Sequence, residues 1–462
     1  MKNEKLVFLL SIIFYIFIYF LFYPSFYSFV DERVYIIQAQ RLLELKLNFP
    51  EWTSGFAIYE GRIGVTSRYP PYYSLLFLSI PLNFGLDYIF LVSLFIHIAS
   101  SFLFYKILEI YKINPLFSIF YIFHPSFVLF SRTVMADFPS SFLFLLTFYL
   151  HLKQRYLFSY ITFFLFSLLK PTNFLYSFIF IYDSLIKREY KNLIHYFILT
   201  FLSVSLIFIY IFFVYGRKHP GFDFSINYFW GNLRTYFFYL NINYPLLLII
   251  GLLGIKKINN LKILLPSFLP SILVFLFYVY RYEIPENIIL SSIAGLRFFL
   301  PFLTFLLIGY SKNFHMIFKD KLEKFFIVSV FPAFLIFTFV MMKKHNEYLL
   351  NFKETKDLVY RYTKEDDLLV THLEVSKLLL PVWGKRENMH FTDFKKFTFY
   401  ENLVKRKKDL PDSFLLVYSL KSAEKNLSFI KVYADSILKI FPKNYLLFHN
   451  DYLYIFRVYK NF

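Results

Sequence analysis

The chain has 462 residues, of which 58% are hydrophobic and 24% aromatic, and its formal net charge is +19. Soluble domains are normally about half apolar, so this composition indicates a membrane protein and not a soluble enzyme. The chain has no cysteine, which excludes disulfides, thiolate zinc sites and cysteine nucleophiles.

Lysine and arginine cluster between apolar runs, so membrane topology explains the positive charge better than nucleic-acid binding does. The apolar runs lie between Leu6 and Met342. Several of them reach the roughly 20 residues that a bilayer core of about 30 Å requires. The first, residues 6–23, follows Lys2 and Lys5 and lacks a small-residue cleavage site. It predicts an uncleaved signal anchor with the N-terminus in the cytoplasm.

About eleven crossings are predicted in total. After the first, they are residues 86–110, 115–130, 138–152, two short runs within 157–186, then 193–215, 244–255, 263–280, 296–310 and 325–342. Residues 72–81 are too short to span and read as interfacial or re-entrant, and residues 216–240 as an outside loop. With this threading the inside segments carry sixteen lysines or arginines and the short outside loops seven. This bias is the one expected for cytoplasmic loops.

The predicted organisation is therefore a membrane domain, residues 1–342, with a long first extracytoplasmic loop at 24–85, and a soluble domain at 343–462. Residues 366–371 and 413–418 read as strands, and 423–441 as an amphipathic helix. Two further strands, 445–449 and 452–458, flank Asn450-Asp451, a plausible hairpin turn. The expected fold class is an α-helical polytopic membrane protein with a small C-terminal α/β domain that has a mixed sheet.

Ionisable residues near the predicted membrane ends collect on the outside face. They are Asp31, Glu32, Arg68, Arg132, Asp137, Lys170, Arg281, Glu283, Glu286 and Arg297. Charged groups close to hydrocarbon are expensive and are usually functional or paired. Acids and bases at one level indicate a site that handles an anion and a proton.

Asp31 and Glu32 follow the first crossing directly. A carboxylate there can take a proton from an acceptor hydroxyl or hold a divalent cation, while the alternative is a solvated loop acid. Arg68 precedes two prolines and can form two hydrogen bonds to a phosphate, or it can extend to lipid head groups.

The segment from Ser131 to Pro139 predicts a tight turn in which Arg132 and Asp137 can also pair with each other. Lys170 and a proline interrupt an apolar run, which is costly unless they line a polar cavity, and this favours anion binding. Arg297 is a phosphate candidate for the same reason. Arg281 is a weaker candidate, because it and the neighbouring acids can form surface pairs.

Taken in order, these pieces resemble the C-type (GT-C) glycosyltransferases that use polyprenyl-phosphate sugars, in the branch of protein O-mannosyltransferases and aminoarabinose lipid A transferases. The matching segments are Asp31-Glu32 with Tyr35 and Ala39, Tyr69-Pro-Pro71, Ser131 to Pro139, Lys170-Pro-Thr172, and Arg297 to Pro301. The resemblance covers residues 6–342, and the C-terminal domain matches only in position.

The resemblance implies an inverting transfer of a sugar from a polyprenyl-phosphate donor to a hydroxyl of a protein, lipid or glycan, at the outer face of the plasma membrane. It implies Asp31 as general base, with Glu32 or Asp137 orienting it. Asp31 and Asp137 can alternatively share a divalent cation such as Mg or Mn. The lipid phosphate would be bound by cations drawn from Lys170, Arg297, Arg132, Arg68 and Arg281.

Two other readings stay open. A transporter or flippase of lipid-linked glycans also needs a basic cavity at membrane level, although the repeated halves common in transporters are not apparent in the sequence. The other reading is a catalytically inactive scaffold whose C-terminal domain binds a partner.

Overall fold

The computed structural model describes residues 2–49, 69–214, 224–278, 288–318, 321–391, 410–420 and 428–460. Contacts between residues divide the chain into two units. The first contains Met1–Pro24 and Arg68–Lys344, and the second contains Ser25–Ser67 and His345–Phe462. The described part of the predicted first loop, residues 25–49, therefore groups with the C-terminal region.

The described chain is mostly helical. Its helices are α1 (Lys2–Leu21), α2 (Val30–Leu43), α3 (Ser79–Phe84), α4 (Ile89–Ile110), α5 (Ile119–Ile122), α6 (Pro125–Phe130), α7 (Asp137–Leu152), α8 (Tyr156–Leu169), α9 (Ser177–Ile186), α10 (Tyr190–Ile209), α11 (Phe229–Ile242), α12 (Leu247–Ile255), α13 (Asn259–Leu264), α14 (Leu269–Phe277), α15 (Ile288–Gly295), α16 (Leu300–Ile317), α17 (Lys321–Tyr362), α18 (Leu373–Ser376) and α19 (Ser428–Ile440).

Five helical spans within the described residues are long and apolar enough to cross a membrane: Glu4–Leu21, Leu86–Ile110, Tyr190–Val214, Asn259–Phe277 and Ile289–Ile317. A sixth is possible if α11 and α12, which meet at an angle of 83°, form one broken span. The chain is thus an integral membrane protein. The predicted number of about eleven crossings is not confirmed by this criterion.

Prolines explain why several predicted crossings are divided into shorter helices. The residue before a proline is disfavoured in the helical conformation, so helices tend to end there. The predicted crossing at 115–130 consists of a 3-10 turn at Pro115–Ser118, then α5 and α6, with His124 preceding Pro125. The His124 ring nitrogen Nδ1 accepts a hydrogen bond from the amide of Ser126 (3.2 Å) and caps α6.

The predicted outside loop at 216–240 also differs from the structure, because residues 229–242 form α11. Asn232 on this helix donates hydrogen bonds to the carbonyls of Leu276 (2.9 Å) and Tyr278 (2.8 Å), where α14 ends. The sequence pattern missed α11 because its polar residues resemble those of a loop. Residues 72–81, predicted as interfacial or re-entrant, form a π-helical turn at Ser74–Leu78 that runs into α3.

The helices α12 and α16 pack closely because glycines face each other. A Cβ added to Gly251 would lie 2.8 Å from the carbonyl oxygen of Leu306, and Gly254 and Gly309 leave still less room. Small residues at such an interface allow two helix backbones to approach in a membrane. Asn313 then donates to the carbonyl of Ile250 (2.5 Å). This pairing holds α16, which begins three residues after Arg297.

The second unit contains a mixed sheet, as predicted, and the sheet has five strands where the sequence indicated four. Its strands are β1 (Leu369–Thr371), β2 (Asn388–His390), β3 (Ser413–Ser419), β4 (Asn444–His449) and β5 (Leu453–Tyr459). Their order is β2-β1-β3-β5-β4, with β1 parallel to β2 and β3, and with β5 antiparallel to β3 and β4. At the predicted hairpin turn, the Asn450 side chain accepts from the amides of Tyr452 (3.0 Å) and Leu453 (2.7 Å).

Candidate functional site

Lys170 lies at a break between two apolar helices. The helix α8 ends at Leu169, Lys170 is extended (φ −150°, ψ 136°), and a 3-10 turn follows from Pro171 to Tyr176. The proline accounts for this break, because it disfavours a helical conformation at the residue before it. The sequence therefore places a cation at an interruption in an apolar segment.

The ammonium group of Lys170 forms an ion pair with the carboxylate of Asp137, which begins α7 and is buried. A second contact joins the same two segments, between residues that lie three positions after Lys170 and Asp137. The side-chain amide of Asn173 donates to the Ser140 hydroxyl (3.0 Å) and to the carbonyl of Phe166 (2.6 Å). Since an ion pair is stronger where water is scarce, Asp137 holds Lys170 in a defined position.

Arg297 joins this pair through a shared aromatic ring. The ammonium nitrogen of Lys170 lies 4.4 Å from the ring centre of Phe298, and the guanidinium carbon of Arg297 lies 4.7 Å from the same centre. The hydroxyl of Tyr176 donates to the carbonyl of Phe298 (2.6 Å), which links the turn after Lys170 to the turn before α16. The structure thus brings together three of the predicted site residues, Asp137, Lys170 and Arg297.

Arg132 is buried in the turn between α6 and α7, five residues before Asp137. Its guanidinium lies 5.7 Å from the ring centre of Tyr19 on α1. The neighbouring Ser131 hydroxyl is hydrogen-bonded to the hydroxyl of Tyr15, also on α1. The partner that the sequence suggested for Asp137 was Arg132, but in the structure Asp137 pairs with Lys170 and Arg132 lies against Tyr19 of α1.

Asp31 and Glu32 lie in the first turn of α2, in the second unit. One carboxylate oxygen of Glu32 accepts from the amides of Phe29 (2.7 Å) and Ser28 (2.8 Å) and from the Ser28 hydroxyl (3.0 Å). Glu32 therefore caps the start of this helix. Asp31 is half-buried and has the spacing of one helix face with Tyr35 and Ala39.

Two predicted phosphate ligands, Arg68 and Arg281, lie outside the described residues, as do Glu283 and Glu286. For a metal, no group of three or more His, Asp or Glu side chains that could hold one occurs among the described residues. Asp31 and Asp137, the two candidate ligands, belong to different units.

The sequence did not reveal Phe298, Asn173 or Ser140 as parts of the site. Two of them had a signal in the spacing, because Asn173 and Ser140 follow Lys170 and Asp137 by three residues each. Phe298 lies in the matching segment from Arg297 to Pro301, directly after a candidate phosphate ligand, but nothing in the sequence indicated that Lys170 would also pack against its ring. Its role depends on which cations pack against it.

No family model and no curated protein matches this chain. Two solved structures of ArnT from Cupriavidus metallidurans share its fold. The structure bound to undecaprenyl phosphate has a TM-score of 0.59 and 11% sequence identity, and the similarity covers 97% of each chain. The apo structure has a TM-score of 0.60 and 11% identity over 99% of this chain and 98% of that one. ArnT is an aminoarabinose lipid A transferase with the GT-C fold. This chain therefore has the GT-C architecture that its sequence motifs predict.

Proposed function

We propose that the chain is a membrane glycosyltransferase that moves a sugar from a polyprenyl-phosphate donor to an acceptor hydroxyl. The observation that carries this proposal is the pair of cations, Lys170 and Arg297, over one ring, with Lys170 held by Asp137. The fold adds support, since ArnT was crystallised with undecaprenyl phosphate. A basic centre at breaks in apolar helices suits a ligand with a charged head and a hydrocarbon tail.

The chemistry of the leaving group explains the need for two cations. A polyprenyl-phosphate sugar is a phosphodiester with one negative charge, and departure of the sugar leaves a phosphomonoester, which approaches two negative charges at neutral pH. Cations aimed at this developing charge stabilise the transition state more than the ground state. Lys170 and Arg297 supply such charge, and Arg132, Arg68 and Arg281 are further candidates.

Asp31 acts as the general base in this proposal. The acceptor hydroxyl attacks the sugar carbon opposite the phosphate, its proton passes to Asp31, and the bonding electrons stay on the phosphate oxygen, which inverts the configuration. Glu32 orients Asp31 by capping the same helix turn. Asp137 serves as counter-ion to Lys170. A divalent cation on Asp31 or Asp137 is an alternative, which transfer assays with and without a chelator address.

The proposed topology has a cytoplasmic N-terminus and an extracytoplasmic C-terminal domain in the plasma membrane. It rests on the distribution of lysine and arginine along the chain. The acceptor is then a protein, lipid or glycan outside the cytoplasm. Protease or labelling access to residues of the C-terminal domain in sealed, oriented vesicles tests this arrangement.

The proposed activity is tested with the full chain reconstituted in vesicles. Undecaprenyl-phosphate sugars with a hexose, a pentose or an amino sugar are supplied with a total-membrane acceptor extract. Mass spectrometry then measures the undecaprenyl phosphate released and the sugar acquired by the extract. The Asp31→Asn variant is compared with Asp435→Asn, which changes another half-buried aspartate of the same unit.

We expect transfer by the wild type and by Asp435→Asn, and loss of transfer with Asp31→Asn. Transfer at the wild-type rate by Asp31→Asn would remove Asp31 from the chemistry. Movement of the donor across the bilayer without any transfer would instead favour a transporter of lipid-linked glycans.

A further inference from the structure

The segment that carries Asp31 is attached to the C-terminal region by stacked aromatic rings. The ring of Phe26 lies 5.4 Å from that of Trp383 at an interplanar angle of 13°, and the ring of Tyr27 lies 6.3 Å away at 10°. Both Phe26 and Tyr27 are buried. Trp383 ends a 3-10 turn, Pro381–Trp383, in the connection between β1 and β2. We name residues 377–384 of this connection the Trp383 turn.

Two hydrogen bonds strengthen this attachment on either side of Asp31. The hydroxyl of Tyr27, four residues before Asp31, donates to the carbonyl of Lys377. The guanidinium of Arg33, two residues after Asp31, is buried and donates to the carbonyl of Leu379 (3.1 Å). Burying a guanidinium is costly unless its donors are used, so this contact is specific in its geometry.

The Trp383 turn also contacts two side chains of α17. The ammonium nitrogen of Lys356 lies 4.6 Å from the ring centre of Trp383. The hydroxyl of Tyr360 donates to the carbonyls of Leu380 (3.2 Å) and Gly384 (3.3 Å), which lie on either side of the 3-10 turn. Gly384 has a φ of +104°, a conformation that side chains rarely adopt. Side chains of α17 thus contact the Trp383 turn at its ring and at two of its carbonyls.

We propose that the C-terminal domain positions Asp31 for proton transfer, through the contacts of the Trp383 turn with Phe26, Tyr27 and Arg33. This inference rests on the proposed role of Asp31 as general base. The side chains of Tyr27, four residues before Asp31, and of Arg33, two residues after it, bind the Trp383 turn, and Glu32 caps the helix turn between them. The domain is therefore part of the catalytic apparatus, with Trp383 and Arg33 as positioning residues.

The consequence is a separation of two kinetic effects. Misplacement of a reacting group by about 1 Å can cost roughly 10²-fold in rate. Loosening the Trp383 turn should therefore lower kcat. Binding of the lipid phosphate should not change, because Lys170, Asp137 and Arg297 belong to the other unit.

The experiment uses Trp383→Leu in the full chain, with Phe448→Leu as matched control. Phe448 is also half-buried and stacks on α17, with its ring 4.6 Å from that of Tyr362. We expect Trp383→Leu to reduce kcat about 10- to 100-fold with unchanged KM for the donor and unchanged binding of undecaprenyl phosphate. Trp383→Phe keeps a ring for stacking and should restore most of kcat, and Phe448→Leu should keep it.

A second variant guards against a folding defect. Arg33→Met removes the hydrogen bond to Leu379 and should lower kcat in the same way, with binding of undecaprenyl phosphate reporting an intact membrane unit. The positioning role is overturned if Asp31→Asn abolishes transfer while Trp383→Leu and Arg33→Met both keep the wild-type kcat. It is also overturned if Phe448→Leu lowers kcat as much as Trp383→Leu does. If Asp31→Asn itself keeps full transfer, the proposed base fails and this inference fails with it.

Discussion

The two ends of α7 both carry buried charge, but they balance it differently. Asp137 begins the helix and His151 lies in its last turn, so they are roughly 20 Å apart along the axis. At the His151 end, Asp183 Oδ2 accepts from His151 Nε2 (2.6 Å) and from Lys187 Nζ (2.6 Å). The other ring nitrogen of His151 lies 3.0 Å from the Tyr196 hydroxyl, which also bonds Ser159 (2.7 Å).

At the Asp137 end, the carboxylate pairs with Lys170, and Lys170 shares the ring of Phe298 with Arg297. The ring weakens the repulsion between the cations but supplies no full negative charge. Asp183 belongs to a network of polar side chains of α7, α8, α9 and α10, whereas our proposal assigns the lipid phosphate to the Asp137 end. The comparison therefore sets a cluster of mutually hydrogen-bonded side chains against the cluster that we propose to bind the lipid phosphate.

The sharpest test of this difference is removal of Lys170. We expect Lys170→Met to lower the rate of sugar transfer about 10²- to 10³-fold, the usual effect of losing one group that stabilises developing negative charge. Lys106→Met is the matched control, since Lys106 also has a carboxylate partner (Glu109, 2.8 Å) and lies near aromatic rings. Equal transfer by both variants, per folded molecule, would contradict a phosphate site at Lys170.

At the other end of α7 the expected effect is on stability. Asp183→Asn removes the charge that His151 and Lys187 share, and hydrogen bonds to a charged group contribute about 2 kcal/mol. Thermal unfolding in detergent should show a lower melting temperature, while the transfer rate per folded molecule stays at the wild-type value. A large loss of that rate at unchanged stability would show that the His151 cluster is more than structural.

The sequence predicted the position of Lys170 but not its ion pair with Asp137, and the reasons are physical. The break at Lys170 is local, because a proline acts on the residue before it, so the position of this cation was predictable. Its pairing with Asp137 joins residues 33 positions apart, and the sequence left a pairing of Asp137 with Arg132 open. Packing of helices decides such a pairing, and periodicity alone carries no information about it.

In the fold, too, features that follow from local sequence patterns were predicted, and contacts between distant residues were not. The apolar runs, the hairpin at Asn450 and the mixed sheet follow from local patterns and were predicted. The attachment of α2 to the Trp383 turn was not, since about 350 residues separate Tyr27 from Lys377 and neither has a distinctive neighbourhood. Strand β2 was missed because three residues are too few to show an alternating pattern.

The smallest effect, and the one most particular to the proposed site, comes from Asp137→Asn. This change removes the carboxylate of Asp137 that pairs with Lys170, so a lipid phosphate no longer competes with it for that ammonium group. Undecaprenyl phosphate should then bind a few-fold more tightly, because an internal carboxylate no longer neutralises the ammonium charge. Transfer should not rise in proportion, because Lys170 loses the partner that orients it and product release slows.

Tryptophan quenching or mass spectrometry in nanodiscs measures the affinity for undecaprenyl phosphate. At the His151 end, Asp183→Asn should leave it unchanged. Weaker binding with Asp137→Asn would mean that Asp137 orients Lys170 for the phosphate and does not compete with it, and the two ends of α7 would then differ in position alone.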